Sequence, residues 1–207
     1  CILKKARQKS KLLWQKEKDN TIKDKLKKIE IGIEIEQDML EKQAKIAFLG
    51  IGSNLGDKKK NIQLSKLKLK NKSISIIRSS KNYESVSWPN KNNPKFINVV
   101  LKIKTTLSAA DLMKKCMKIE KELGRLRNNK NEPRTCDIDI IDYDKKIIFK
   151  KTSQRLVIPH PKMHKRNFVL IPLFEITKTW IHPKKKLSIK ELVNSLKTKE
   201  SRAIKII

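Results

Sequence analysis

The sequence predicts an α+β domain that follows a charged helical extension. Three observations support this fold class: alternating β-branched segments typical of strands, amphipathic segments typical of helices, and their interleaved order. The chain has 207 residues, enough for one medium domain plus an extension. We therefore expect an extension over residues 1–43 and a folded domain over residues 44–207.

The first 43 residues carry 12 basic and 8 acidic side chains. Ile22, Leu26, Ile29 and Ile33 recur there at helical spacing. This pattern predicts one or two charged helices. Their role stays open between a remnant, a linker and the end of a fused upstream partner.

The domain alternates strand and helix signals from residue 45 onward. Four strands and two helices give the order βαββαβ, which is the ferredoxin-like arrangement. After the fourth strand, a short C-terminal helix is expected near residues 188–196. The six predicted elements are a strand over 45–51, a helix over 56–70, strands over 73–85 and 95–105, a helix over 107–124 and a strand over 136–144.

The helix over 107–124 has the clearest signals. Ser108 is a plausible N-cap, Asp111 lies at N3, and Gly124 provides a C-terminal stop. In the first helix, Asp57 favours the first turn. The apolar stripe of the 107–124 helix consists of Leu112, Cys116, Ile119 and Leu123.

The last predicted strand contains two aspartates separated by one isoleucine. Residues i and i+2 of a strand point to the same face, so Asp137 and Asp139 would project side by side. Two adjacent carboxylates repel unless a positive group lies between them. Mg²⁺ binds such oxygen pairs together with substrate phosphates. The alternative is an edge strand whose aspartates are merely solvated. The residues around the pair are needed to distinguish the two interpretations.

The charge of the chain is strongly positive, at +30. Basic patches bind phosphate backbones, so a nucleic-acid-binding protein is one functional class to consider. Only eight of the 51 basic residues are arginines, and aromatic residues for stacking on bases are few. Most lysines are therefore interpreted as a solvated surface. A binder of phosphate backbones would also gain nothing from paired carboxylates.

The arginines are more informative, because a planar guanidinium holds phosphate oxygens in a bidentate manner. Five of the eight gather between residues 125 and 166, around the aspartate pair. This arrangement predicts a site for a metal–polyphosphate complex. They are Arg125, Arg127, Arg134, Arg155 and Arg166.

No run of 18 apolar residues and no secretory apolar region near the start are present. The three cysteines have no metal-ligand spacing and are odd in number. We therefore expect a cytoplasmic protein without a membrane partner.

Seven motifs together resemble the 6-hydroxymethyl-7,8-dihydropterin pyrophosphokinase family of the folate pathway, over about residues 45–200. The resemblance implies a ferredoxin-like sandwich that transfers pyrophosphate from ATP to the pterin and releases AMP. It also implies two Mg²⁺ ions. We expect this protein to be a monomer. The motifs are LGIGSNLGD (49–57), YES (83–85), FIN (96–98), IEKELGRLR (119–127), PRTCDIDII (133–141), IPHP (158–161) and RNFVLIPLFEI (166–176).

The resemblance also implies roles for individual residues. Asp137 and Asp139 would hold the metal ions, and Arg125 and Arg134 would be catalytic. Ser53 and Asn54 would shape the floor of the site. Nucleotide contacts would come from Glu120, Arg127, His160 and Arg166, and pterin contacts from Phe96, Asn98 and Phe168.

Two loops depart from the family pattern. Where the family commonly has Trp-Gly before Pro-Arg, this chain has Asn131 and Glu132. This loop closes over ATP in the family, and we expect its closure to be weaker or differently organised here. The loop after Tyr83 lacks the usual Pro and Gly spacing, and Trp88 either packs over the pterin or anchors the loop.

Other conspicuous residues have structural interpretations. His164 is expected at the surface, His182 in a structural role, and Asp142 and Asp144 in a turn or in solvent. The spacing of Gly50, Gly52 and Gly56 fits no phosphate-loop motif, so these are interpreted as turn and packing glycines.

Overall fold

The computed structural model describes residues 18–25, 27–29, 32, 43–87, 90–125, 132–150, 156–196 and 204–207. The chain divides into two compact units, residues 1–43 and residues 44–207. In the first unit, the described residues are helical and exposed. Within the described part of the chain, no helix is long and apolar enough to cross a membrane.

The second unit is built on a six-stranded antiparallel sheet. Its strand order is β5-β1-β4-β3-β8, and β2 pairs with β4 beside β3. A separate pair, β6 and β7, forms a two-stranded antiparallel sheet. The strands are β1 Lys45–Ser53, β2 Ile74–Ser79, β3 Tyr83–Ser85, β4 Phe96–Thr105, β5 Asp137–Tyr143, β6 Ile148–Lys150, β7 Leu156–Ile158 and β8 Ile204–Ile206.

Four α-helices in this unit cover the two faces of the sheet. As predicted, Ser108 caps its helix, since its Oγ accepts the Asp111 N–H. Asp57 is the N-cap of the first helix, where it accepts the Lys60 N–H. The helices are α1 Lys58–Leu69, α2 Ala109–Glu122, α3 Asn167–Ile176 and α4 Ile189–Asn194, with a 3-10 turn at Met163–Lys165.

Two apolar clusters hold these layers together. One lies between the sheet and helices α1 and α2, and includes Leu49, Ile51 and Ile119. The other lies between the opposite face and helices α3 and α4, and includes Phe48 and Leu173. The unit is therefore a mixed α/β structure with a central antiparallel sheet.

The predicted strand over 73–85 is wrong in one respect, because it is two strands. Ser80 interrupts it between β2 and β3: its Oγ accepts the Val100 N–H and its N–H donates to the Val100 carbonyl. The alternation of apolar residues hides this break because both halves pair with β4.

Strand β5 contains a bulge opposite the Phe48–Leu49 step of β1. Leu49 pairs with Ile140 and Phe48 pairs with Asp142, so Ile141 has no opposite residue in β1. Its carbonyl accepts the N–H of His160 instead. The bulge thus anchors the segment that precedes the 3-10 turn.

The bulge also explains why the prediction for Asp142 is wrong. This residue is 1% exposed rather than solvated, and its Oδ2 accepts the Trp180 indole N–H at 2.8 Å. Burial, partly offset by the Trp180 hydrogen bond, raises the pKa of Asp142. Asp144, by contrast, lies in the expected turn with φ of 54°.

His182 has the structural environment that its sequence context suggests. It is 3% exposed, and its Nδ1 accepts the N–H groups of Lys184 and Lys185 at 3.2 Å each. Its ring lies 5.6 Å from that of Trp180. His164, expected at the surface, is half-buried against His182, with ring centroids 6.2 Å apart.

We predict that His182 makes the stability of the protein depend on pH. Burial lowers its pKa from 6.5 to about 4, so the unfolded chain binds this proton more readily than the folded one. The contribution of neutral His182 to the free energy of unfolding is complete above pH 6.5 and is lost as the pH falls through 4. Urea unfolding at pH 7 and pH 5 should show a larger loss of free energy in the wild type than in His182→Asn. Equal losses in the two proteins would contradict the assignment.

Candidate active site

The centre of the site lies where β1 and β5 run side by side. Asp137 pairs with Gly52, and Asp139 pairs with Gly50. The two glycines leave space in front of the carboxylates. A Cβ atom on Gly52 would lie 3.2 Å from Asn98 Oδ1 and 3.3 Å from Phe96 Cδ1. A side chain at Gly52 would therefore crowd the cavity.

Two arginines neutralise Asp137. Arg125 Nη1 lies 2.5 Å from its Oδ1, and Arg134 Nη2 lies 2.7 Å from its Oδ2. Burial favours the neutral acid, but the charges of both arginines outweigh it and lower the pKa of Asp137. Asp137 is therefore held in the ionised form that binds cations.

A third carboxylate stands behind this pair. The side chain of Glu120 is 3% exposed, and its Oε1 accepts hydrogen bonds from Arg125 Nη1 at 2.5 Å and from the Ile138 N–H at 2.7 Å. Ile138 lies between the two aspartates of β5. Glu120 thus joins helix α2 both to an arginine and to the backbone of the aspartate strand.

Asp139 faces a second group of cations. Its Oδ2 lies 3.2 Å from Arg166 Nη1 and 3.8 Å from His160 Nε2. Burial, followed by the charge of Asp137, raises the pKa of Asp139. Burial also lowers the pKa of His160. The two aspartates therefore lie in different electrostatic environments although they share one face of the strand.

Each cavity arginine also lies over a phenyl ring. The Arg134 guanidinium carbon is 5.2 Å from the centroid of Phe96, and that of Arg166 is 5.5 Å from the centroid of Phe168. In the described part of the chain, the buried Nε atoms of both arginines have no hydrogen-bond partner. The cavity thus combines two guanidinium groups with two phenyl rings.

Asn98 lies at the apolar end of the site and is 7% exposed. Its Nδ2 donates to Ser85 Oγ at 2.8 Å and to the Tyr83 carbonyl at 3.5 Å. These acceptors fix the orientation of the amide, and the Oδ1 atom points toward Gly52 and the cavity. Asn98 therefore presents an acceptor to a ligand that carries N–H groups.

All these groups surround one cavity that is open to the surface. Both aspartates, both rings and the two ring-stacked arginines line it, together with Asn98. The other lining residues are Gly50, Ile51, Gly52, Ser85, Val86, Val99, Lys162 and Val169.

The family model described as 7,8-dihydro-6-hydroxymethylpterin-pyrophosphokinase (HPPK) matches residues 48–178, which include this cavity. The chain belongs to the HPPK family. An Aquifex aeolicus relative named 2-amino-4-hydroxy-6-hydroxymethyldihydropteridine pyrophosphokinase is 40% identical over 144 residues, covering 70% of this chain and 88% of the relative.

Longer HPPK relatives match as well. "Folic acid synthesis protein fol1" of Pneumocystis carinii is 40% identical over 142 residues, covering 69% of this chain but 19% of that protein. The Plasmodium falciparum HPPK-DHPS crystal structure has a TM-score of 0.61 at 17% identity, over 73% of this chain and 44% of that one. This likeness supports the fold alone. The chain thus spans most of the bacterial relative and a minor part of these two.

Most of the site residues expected from the HPPK resemblance lie together. Arg134, Arg166, Phe96, Asn98, Phe168 and both aspartates line the cavity. Arg125 and His160 contact the aspartates, whereas Glu120 lies behind Arg125. Arg127 lies outside the described residues, as do Arg155, Asn131 and Trp88.

Sequence reasoning missed several lining residues of this HPPK site. Gly50 and Gly52 are strand residues opposite the aspartates rather than turn glycines, and of these three glycines Gly56 alone has positive φ, at 64°. The alternation of small and large residues in GIGS was the available signal. Ser85 and Lys162 also line the cavity, and nothing in a single sequence separates Lys162 from the many surface lysines.

Proposed function

We propose that the chain transfers the β,γ-pyrophosphoryl group of ATP to 6-hydroxymethyl-7,8-dihydropterin and releases AMP, a step of folate biosynthesis. The observation that carries this proposal is that Arg134 and Arg166 each touch one cavity carboxylate and one phenyl ring. A polyphosphate site and an aromatic slot are therefore adjacent, as a reaction between ATP and a flat ring requires.

The aspartate pair fits Mg²⁺. Both carboxylates are strand-borne oxygen donors that line the cavity, and Mg²⁺ commonly uses one or two carboxylates with substrate phosphates. Among the described residues, no group of three or more acidic, histidine or cysteine side chains could hold an ion without substrate. We assign two ions to Asp137 and Asp139. When bound, they would neutralise the triphosphate and polarise its phosphoryl oxygens.

The arginines of the chain complete the phosphate site. The guanidinium groups of Arg134 and Arg166, which line the cavity, can bind phosphate oxygens and stabilise charge on the transferring group. Arg125, fixed by Glu120 and Asp137, supplies a third guanidinium. His160 and Arg127 are proposed as further nucleotide contacts. Such transfer depends mainly on positioning and electrostatics.

The pterin is proposed to stack between Phe96 and Phe168. Asn98 Oδ1, whose amide is oriented by Ser85, would accept an N–H of the pterin edge. This orientation would place the hydroxymethyl oxygen toward Asp137 and Asp139, where the β-phosphorus would lie. The stacking residues bind the ring, and the carboxylates bind the phosphates with their ions.

The proposal extends to the fold, the oligomeric state and the cellular location. The strand order, with β5 and β4 flanking β1, supports a ferredoxin-like sandwich over residues 44–207. We further propose a monomer in the cytoplasm. A nucleic-acid-binding function finds less support, because the carboxylates at the centre of the basic cavity would repel a phosphate backbone.

The proposed reaction is tested by product analysis. The chain is incubated with ATP, Mg²⁺ and 6-hydroxymethyl-7,8-dihydropterin, and AMP and ADP are separated by chromatography. Pterin-dependent AMP is the expected product. ADP as the pterin-dependent product, or AMP formed equally without pterin, would contradict pyrophosphoryl transfer.

Phe168→Ala is predicted to weaken pterin binding much more than ATP binding. Loss of one stacking wall removes roughly 0.5–1.5 kcal/mol beyond the buried area, so an affinity loss of about tenfold is expected. Titrations with each ligand measure this difference. The control is Phe174→Ala, which removes a half-buried ring from the same helix without reaching the cavity. Equal weakening of both ligands, or a collapse of the thermal melt, would leave Phe168 as a core residue.

Deletion of residues 1–43 is predicted to leave pyrophosphoryl transfer nearly unchanged. The family match begins at residue 48, and the cavity is lined by residues 50–169. The assay compares kcat/KM of the full chain with that of residues 44–207. A soluble, folded truncation with little activity would mean that the extension contributes to the site.

A further inference from the structure

Asn54 is a buried amide directly after β1, and it bonds to two separate segments. It is 2% exposed. Its Oδ1 accepts the Arg134 N–H at 2.8 Å, and its own N–H donates to the Arg134 carbonyl at 3.1 Å. Its Nδ2 donates to the Pro94 carbonyl at 3.1 Å. Because one neighbour is a donor and the other an acceptor, these partners fix the orientation of the amide.

The two segments that Asn54 joins lead to the two halves of the site. Pro94 precedes Phe96, which is the proposed pterin wall and the first residue of β4. Arg134 precedes Asp137 and lies on its carboxylate. The side chains meet again inside the cavity, where the Arg134 guanidinium lies 5.2 Å from the Phe96 centroid. A backbone link and a side-chain contact therefore connect the same two segments.

Resting on the proposed function, we infer that Asn54 is a positioning residue that couples the phosphate half of the site to the pterin half. Nucleotide phosphates would contact the Arg134 side chain, and Asn54 forms hydrogen bonds with both the N–H and the carbonyl of Arg134. Any adjustment of Arg134 is transmitted through the rigid amide to the Pro94 carbonyl, and thus to Phe96. Occupation of one half then changes the affinity of the other half.

Only an amide serves both segments at once. It carries an acceptor for the Arg134 N–H and a donor for the Pro94 carbonyl on one planar group. Asn54→Asp keeps an acceptor for Arg134 but turns an oxygen toward the Pro94 carbonyl. This substitution therefore removes one link of the pair and leaves the shape of the side chain unchanged.

The experiment measures the coupling directly. Pterin Kd is determined with and without an ATP analogue whose α,β-bridging oxygen is a methylene, so that the bond broken in the reaction cannot break. Mg²⁺ is present throughout. Asn61→Asp is the matched control, because Asn61 lies in α1 and its Nδ2 donates to Ser53 Oγ at the end of β1 and to the Leu55 carbonyl, not to the Pro94 or Arg134 segments among the described residues. Asn54→Ser, too short to reach both partners, is a second test variant, and thermal melts accompany each protein.

We expect the analogue to tighten pterin binding by about 5–150-fold in the wild type, the range of typical site–site coupling. In Asn54→Asp and Asn54→Ser this factor should fall to about onefold, while Asn61→Asp keeps the wild-type factor. Unchanged coupling in both Asn54 variants, or no coupling in a wild type that transfers pyrophosphate, overturns the inference alone. A wild type that neither binds the pterin nor releases AMP overturns the proposed function and this inference with it.

Discussion

Asp139→Asn is expected to lower kcat/KM for pyrophosphoryl transfer by on the order of 10³-fold or more. The amide keeps the shape of the side chain but loses the charge that would hold Mg²⁺. A bound metal ion contributes several kcal/mol to the stabilisation of charge, and about 1.4 kcal/mol corresponds to tenfold in rate. The measurement is AMP release over a range of Mg²⁺ concentrations.

The turn after β5 supplies the control for this experiment. Asp144→Asn changes a half-buried aspartate there, where positive φ suits asparagine and the partner is Lys146 at 3.4 Å. Its activity should match the wild type. Near-normal turnover of Asp139→Asn at low Mg²⁺ would remove Asp139 from the metal site, whatever the result for Asp144→Asn.

Glu120→Ala is expected to lower the free energy of unfolding by about 3–5 kcal/mol, the cost of breaking a buried ion pair from one side. The substitution leaves the Arg125 guanidinium, 14% exposed, with one carboxylate fewer. It also leaves the Ile138 N–H without its acceptor. Urea unfolding of the wild type and the variant measures the difference.

Glu122→Ala tests whether this loss comes from burial. Glu122 lies on the same helix and pairs with Lys68 at 2.7 Å, but its side chain is 37% exposed. Solvent screens surface ion pairs, so this variant should be nearly as stable as the wild type. Similar losses in the two variants would show that the buried ion pair of Glu120 does not account for the effect.

The sequence predicts those parts of the fold that local chemistry determines. Helix α2 differs from its expected range by two residues at each end, because Ser108 and Gly124 specify its ends locally. The shared face of Asp137 and Asp139 follows from strand geometry, and both line the cavity. These features need no information about distant partners.

The missed features depend on distant partners. The Ser80 interruption requires Val100, and the β5 bulge requires the register of β1. Helix α3 is apolar nearly all round and contains Pro172, so its sequence has no clear helical period. The burial of Glu120 behind Arg125 likewise depends on where α2 packs against β5.

The bulge in β5 bears on how related chains should be aligned. Ile140 opposes Leu49 and Asp142 opposes Phe48, so the pairing of β5 with consecutive residues of β1 continues across the bulge at Ile141. A relative one residue shorter could therefore omit position 141 and still point every other side chain to the same layer, although it would lose the carbonyl that accepts the His160 N–H. A gap placed before Ile141 in the strand would move the side chains on one side of it to the opposite face of the sheet. Length variation in this strand is thus tolerable at the bulge.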